Sequence, residues 1–132
     1  MLITHSACAS PGQARRRAAR SIAAAGLDVD AQAVEMVVAE LISNAVRHTR
    51  AGTWSLRMHV VDGALVVEVT DSDRRVPRER TGRHLDGLGG FGLGMVRTLC
   101  DRVETIVSPG GKTIRARWPV PQDGAGSRPG TA

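Results

Sequence analysis

The sequence predicts an α+β domain, a two-layer sandwich with helices on one face of a mixed, largely antiparallel sheet. Three observations predict it. Val34, Val37, Val38, Leu41, Ile42 and Ala45 recur at steps of three and four, which is the apolar face of a helix. Two alternating apolar–polar runs flank Asp62-Gly63, the pattern of a hairpin with a two-residue turn. A second such pair flanks Pro109-Gly110-Gly111. Strands joined by turns this short are antiparallel neighbours.

The elements follow in order. Residues 1–11 read as a short irregular lead. Ser10 and Pro11 suit a helix start, Gln13 to Ala25 is rich in the strong helix formers Ala and Arg, and Gly26 ends the run. Arg15, Arg16, Arg17 and Arg20 read as its solvated face. The second helix runs from about Asp30 to Thr49, capped by Asp28 or Asp30. Trp54, Leu56, Met58 and Val60 then alternate with polar residues, and Leu65, Val67 and Val69 continue beyond the turn. Asp71 has the parity of that second row. A carboxylate ending a core-facing row needs a partner or a ligand. Residues 72–90 hold five arginines, Pro77 and several glycines without period, and read as a long loop or lid. A third helix spans about Gly92 to Asp101, followed by strands near Arg102–Val107 and Thr113–Pro119. Residues 121–132 are rich in Gly, Pro and Ser and read as a disordered tail.

A chain of 132 residues fits one domain, and 42% apolar with 23% charged residues is enough for a core. Aromatics make up only 2%, which argues against a single-strand nucleic-acid binder built on stacking. No apolar run is long enough to span a bilayer, and the start lacks the layout of a secretory signal. The expectation is a soluble, cytoplasmic chain with no membrane contact. The net charge is +5, and Lys112 is the one lysine beside seventeen arginines. The Arg, Ala and Gly bias of a GC-rich genome accounts for most of that charge, so direct nucleic-acid binding ranks last. Cys8 and Cys100 form no C-x-x-C and read as free thiols, and His5, His48, His59 and His84 make no metal pattern with them.

Glu40 and Asn44 lie four apart and stack on one helix face, extended by Arg47 and His48. An isolated E-x-x-x-N is most often a solvated face. The chemical alternative is an Asn oxygen on Mg²⁺ and a Glu that deprotonates a hydroxyl. Gly87 to Gly94 holds five glycines in eight residues, either a hinge or backbone N–H groups presented to an anion at a helix start. Gly87, Gly89 and Gly92 match G-x-G-x-x-G without the required preceding strand. Gly111-Lys112-Thr113 lacks the first glycine of a P-loop and precedes no helix. Both of those readings are rejected.

Taken together, VVAELISNAVRHT, VVEVTDSD, GLGGFGLGMVRTLCD and GGKTIRARWPV occur in an order that resembles one ATPase superfamily. It is shared by DNA gyrase, a heat-shock chaperone, histidine kinases and MutL-type repair proteins. The short stand-alone form is similar to the bacterial anti-sigma factor serine kinases. The resemblance covers roughly residues 12–120 and implies a histidine kinase-like ATPase fold with 72–90 as the ATP lid. It further implies ATP and Mg²⁺ between helices and sheet. Glu40 would be the catalytic base and Asn44 the Mg²⁺ ligand. Asp71 would accept from the adenine amino group, with Thr113 supporting it directly or through water. Gly90, Gly92 and Leu93 would form a glycine box, with His48 near phosphate. The implied function is phosphorylation of a serine on an anti-anti-sigma partner, and sequestration of a sigma factor otherwise. A homodimer through the sheet is among the family's habits. Asp73 and Arg75 stand where the family has glycine and a small residue. The alternative is therefore a catalytically degenerate interaction module on the same fold.

Overall fold

The structure, a computed structural model, describes residues 1–49, 51–72 and 92–121. The expectations for Asp73, Arg75, Gly90, nearly all of the 72–90 lid and the tail beyond Pro121 lie outside the described residues. Five strands and three helices occur among them, in the order β1 (Leu2–His5), α1 (Pro11–Ala25), α2 (Ala31–His48), β2 (Ser55–Val61), β3 (Ala64–Asp71), α3 (Gly92–Leu99), β4 (Arg102–Ser108) and β5 (Gly111–Pro119). The strands form one sheet in the order β1-β2-β3-β5-β4. Every pairing is antiparallel, so the described sheet has no parallel component.

Residues 2–5 correct the sequence reading. Instead of an irregular lead they make edge strand β1, with Leu2 opposite Met58 and His5 opposite Ser55. The usual pattern is inverted there: Ile3 is 75% exposed while Thr4 is buried and accepts a hydrogen bond from Arg17 Nη1 at 3.1 Å. An exposed Ile beside a buried Thr gives no alternation to read.

Local chemistry accounts for the helix ends. Ser10 and Gln13 form a reciprocal capping box ahead of Pro11, and Gly26 closes α1 in the left-handed region at φ 63°. Asp30 caps α2 by accepting from the Ala33 N–H at 3.2 Å. Asp62 and Gly63 both have positive φ, as the tight turn between β2 and β3 requires.

Burial follows the periodicities. Ala14, Ala18 and Ile22 of α1 pack on α2. The α2 face of Val34, Val37, Val38, Leu41 and Ile42 packs into the same core as Leu56, Met58, Leu65, Val67, Val69, Ile114, Ala116 and Trp118 of the sheet. The opposite sheet face is open and charged. Glu68 there lies 2.7 Å from Arg115, 3.6 Å from His59 and 4.0 Å from Arg57. The hydrogen bond from Arg115 to Glu68 raises the guanidinium's pKa above its already high ordinary value. No helix among the described residues is long and apolar enough to cross a membrane.

Candidate functional site

Helix α2 is covered on one side by α1 and on another by the sheet and α3. That placement buries residues a lone helix would expose. Glu40 and Asn44 are each 4% exposed, so the solvated-face reading of E-x-x-x-N does not hold. Arg47 joins them one turn on. Its Nη2 donates to Asn44 Oδ1 at 2.6 Å and lies 3.6 Å from Glu40 Oε2. Arg47 Nε and Nη1 are buried with no hydrogen-bond partner among the described residues. A buried donor left unsatisfied is costly, and an anion is the ligand that relieves it best. His48 follows, half-buried, in the last turn of the helix. Beside Glu40 a cleft of about 530 Å³ opens, bordered by Arg15, Gln32, Glu35, Met36, Ala39 and Ser43 of the helical layer and Met95 of α3.

The second cluster lies at one end of the sheet. Asp71 ends the core-facing row of β3 and is 7% exposed. Its partner is Lys112, whose Nζ donates to Oδ1 and Oδ2 at 3.0 Å each and which is 1% exposed. The register of β3 on β5 sets Asp71 opposite Lys112. Gly111 permits this approach. It has φ 154°, and a Cβ there would collide with the Asp71 carbonyl and stand 2.9 Å from Ser72 Cα.

Lys112 is the residue the sequence reading missed. It shares the parity of Ile114, Ala116 and Trp118, all buried, so strand alternation alone places it on the core face. Thr113 takes the other parity and corrects the expectation made for it. Its hydroxyl meets that of Thr70 at 2.7 Å on the open sheet face. Its hydroxyl therefore does not meet the Asp71 carboxylate directly.

Gly92 and Leu93 open α3. Leu93 is 4% exposed, and its side chain belongs to the core with Val96, which leaves only its backbone to face an anion. Cys8 and Cys100 are free thiols, as expected. No group of three or more His, Cys, Asp or Glu among the described residues could hold a metal alone.

The donor sets decide what each end can hold. Glu40 and Asn44 offer hard oxygens, which suit Mg²⁺ when phosphate and water complete its shell. The unmet donors of Arg47 suit phosphate oxygens, so the α2 cluster fits the phosphate end of a nucleotide. Asp71 is already engaged, because Lys112 donates to both of its oxygens, and an adenine amine would have to contest that carboxylate with an ammonium.

Two comparisons with known proteins bear on this arrangement. In solved structures, the chain is similar to the RsbU and RsbW domains of Rv1364c from Mycobacterium tuberculosis, with a TM-score of 0.65 and 18% identity. That match covers 91% of this chain and 33% of the other, so the chain spans about a third of the crystallised protein and shares its fold over that part. The family model of the histidine kinase-like ATPase domain matches residues 5–118, from the end of β1 to Trp118, the last residue of the core row on β5. A match over that much of the sequence places the chain in the histidine kinase-like ATPase domain family.

Proposed function

We propose that the chain is an ATP-binding regulator of the anti-sigma type. In this reading it is a serine/threonine kinase that phosphorylates an anti-anti-sigma protein and sequesters a sigma factor when that protein is absent. The observation that carries it is the burial of Glu40 and Asn44 one turn apart, with Arg47 presenting unmet donors beside them. The fold shared with a structure named for an RsbW domain supports the regulatory class. Glu40 would take the proton from the incoming serine hydroxyl. Asn44 would hold Mg²⁺, and Arg47 and His48 would orient phosphate oxygens near the start of α3, where Gly92 and Leu93 would offer backbone; Gly90 stays an expectation outside the described residues. Bound Mg²⁺ would supply charge neutralisation on the phosphates. A homodimer through the open sheet face belongs to the same reading.

Calorimetry with ATP, with and without Mg²⁺, tests the site, and transfer of labelled γ-phosphate to a purified anti-anti-sigma protein tests the chemistry. Asn44→Ala should abolish Mg²⁺-dependent binding. Glu40→Gln should keep binding and lose transfer. Unchanged transfer in Glu40→Gln would remove Glu40 as the base.

A second reading has its own support. The Asp71–Lys112 pair is satisfied without any nucleotide, as an interaction module that binds partners irrespective of ATP would need. Partner capture that is identical with and without MgATP would favour it.

A further inference from the structure

We infer that Lys112 sets the nucleotide affinity of this domain: its ammonium holds the carboxylate that would recognise the base, so a base binds in competition with it. The inference rests on the reading of Asp71 as the base acceptor, and adds the residue that controls it.

The geometry shows a carboxylate already engaged by a charge. Both oxygens of Asp71 accept from one Nζ, each at 3.0 Å. An adenine amine is a neutral donor. It would replace a charge-assisted hydrogen bond with a weaker one, in a place where the displaced ammonium needs water or a new anion. Burial sharpens the contest, since Lys112 is 1% and Asp71 7% exposed, and charges attract more strongly away from water. The pair is also held in place. Asp71 and Lys112 are register partners, and the close approach at Gly111 fixes the two strand ends against each other. Lys112 is the first residue after Gly111 in β5, and its ammonium sits on a flexible four-carbon stem, so moving it off Asp71 does not require the strand to move.

This differs from loss of the site. A lost site has no acceptor, whereas here the acceptor is intact and reversibly engaged. Affinity for the base then depends on whatever moves Lys112, including phosphate bound at Arg47 or a protein partner that offers the ammonium another carboxylate.

The test uses Lys112→Met, which keeps the length of the side chain and removes its charge. Calorimetry should show MgATP bound at least tenfold tighter than by the wild type. Equal or weaker binding by the folded variant would overturn the inference, as would the absence of binding in both proteins. Adding Asp71→Asn separates the two claims. If the gain disappears, Asp71 is the base acceptor; if the gain persists, that assignment fails and the inference with it. Wild-type binding that is lost in Asp71→Asn and unimproved in Lys112→Met would sink the Lys112 claim alone.

Should Lys112→Met fail to fold, the wild type carries the test. Lys112 is the only lysine, so amine acylation read by peptide mass spectrometry reports on it apart from the chain's α-amine. Acylation should be slow in the free protein and several-fold faster with millimolar MgATP. MgATP binding with Lys112 still protected would overturn the inference.

Discussion

Arg47 donates to the Oδ1 of Asn44 at 2.6 Å, the same oxygen a Mg²⁺ ion would take. The guanidinium and the metal cannot both hold it at full strength. Metal binding therefore weakens the hold of Arg47 on Asn44, while its buried Nε and Nη1 already lack an acceptor. Phosphate oxygens would supply one. Arg47→Ala is expected to weaken binding of MgATP, and of Mg-tripolyphosphate, by tenfold or more, because charge-assisted hydrogen bonds of this kind contribute about 1.5–3 kcal/mol. Calorimetry with both ligands checks it. Unchanged tripolyphosphate affinity would show that Arg47 only braces the helix.

The contrast between Gly110 and Gly111 gives a stability prediction. A Cβ on Gly111 meets the Asp71 backbone at φ 154°, whereas one on Gly110 meets nothing within 4 Å. Gly111→Ala should cost about 1–3 kcal/mol from backbone strain alone, with the clash adding to it. Gly110→Ala should be close to neutral. Thermal unfolding of the two variants decides the matter, and equal midpoints would mean the strand ends are not held as described.

Much of this fold is legible because periodicity is geometric. Val34 to Ala45 could bury one face only as a helix, and Asp62-Gly63 could reverse the chain only as a tight turn. Strand β1 was not legible, because its apolar Ile3 faces solvent and its Thr4 faces in. At the candidate site, helical spacing put Glu40 beside Asn44, and strand parity put Asp71 on the core face. Their burial was not legible, since it depends on α1, α3 and the sheet closing around α2. Lys112 shows how parity can be overlooked. A lysine by type belongs in solvent, yet its parity places it in the buried row of Ile114 and Ala116, while the neighbouring Thr113 falls on the open face. A shift of one residue in a strand moves the side chain to the opposite face.

Trp118 ties β5 to the end of α3, donating from Nε1 to the Leu99 carbonyl at 2.8 Å while 6% exposed. The bond satisfies a carbonyl that the helix end leaves without an intrahelical donor. Trp118→Phe keeps an aromatic ring but removes the donor. It should cost about 1–3 kcal/mol for the unsatisfied acceptor, lowering the unfolding midpoint by several degrees. An unchanged midpoint would show that solvent replaces the indole without penalty.

The two thiols should separate by reactivity. Cys8 is exposed, 3.3 Å from His5 Nε2, while Cys100 is partly covered and can donate to the carbonyls of Val96 at 3.1 Å or Arg102 at 3.3 Å. Burial raises the Cys100 pKa above its ordinary value, outweighing backbone hydrogen bonds that lower it. Only the thiolate attacks a disulfide reagent, so a raised pKa means less reactive sulfur at any pH below it. Native protein at neutral pH should show one fast thiol and one slow one. The slow phase should still be quickening with pH above about 8.5, where an ordinary exposed thiol is already half ionised. Cys8→Ser should delete the fast phase and leave the slow one, and Cys100→Ser the reverse. Two thiols reacting at one rate in the folded protein would mean that the α3–β4 corner opens faster than the reagent reacts.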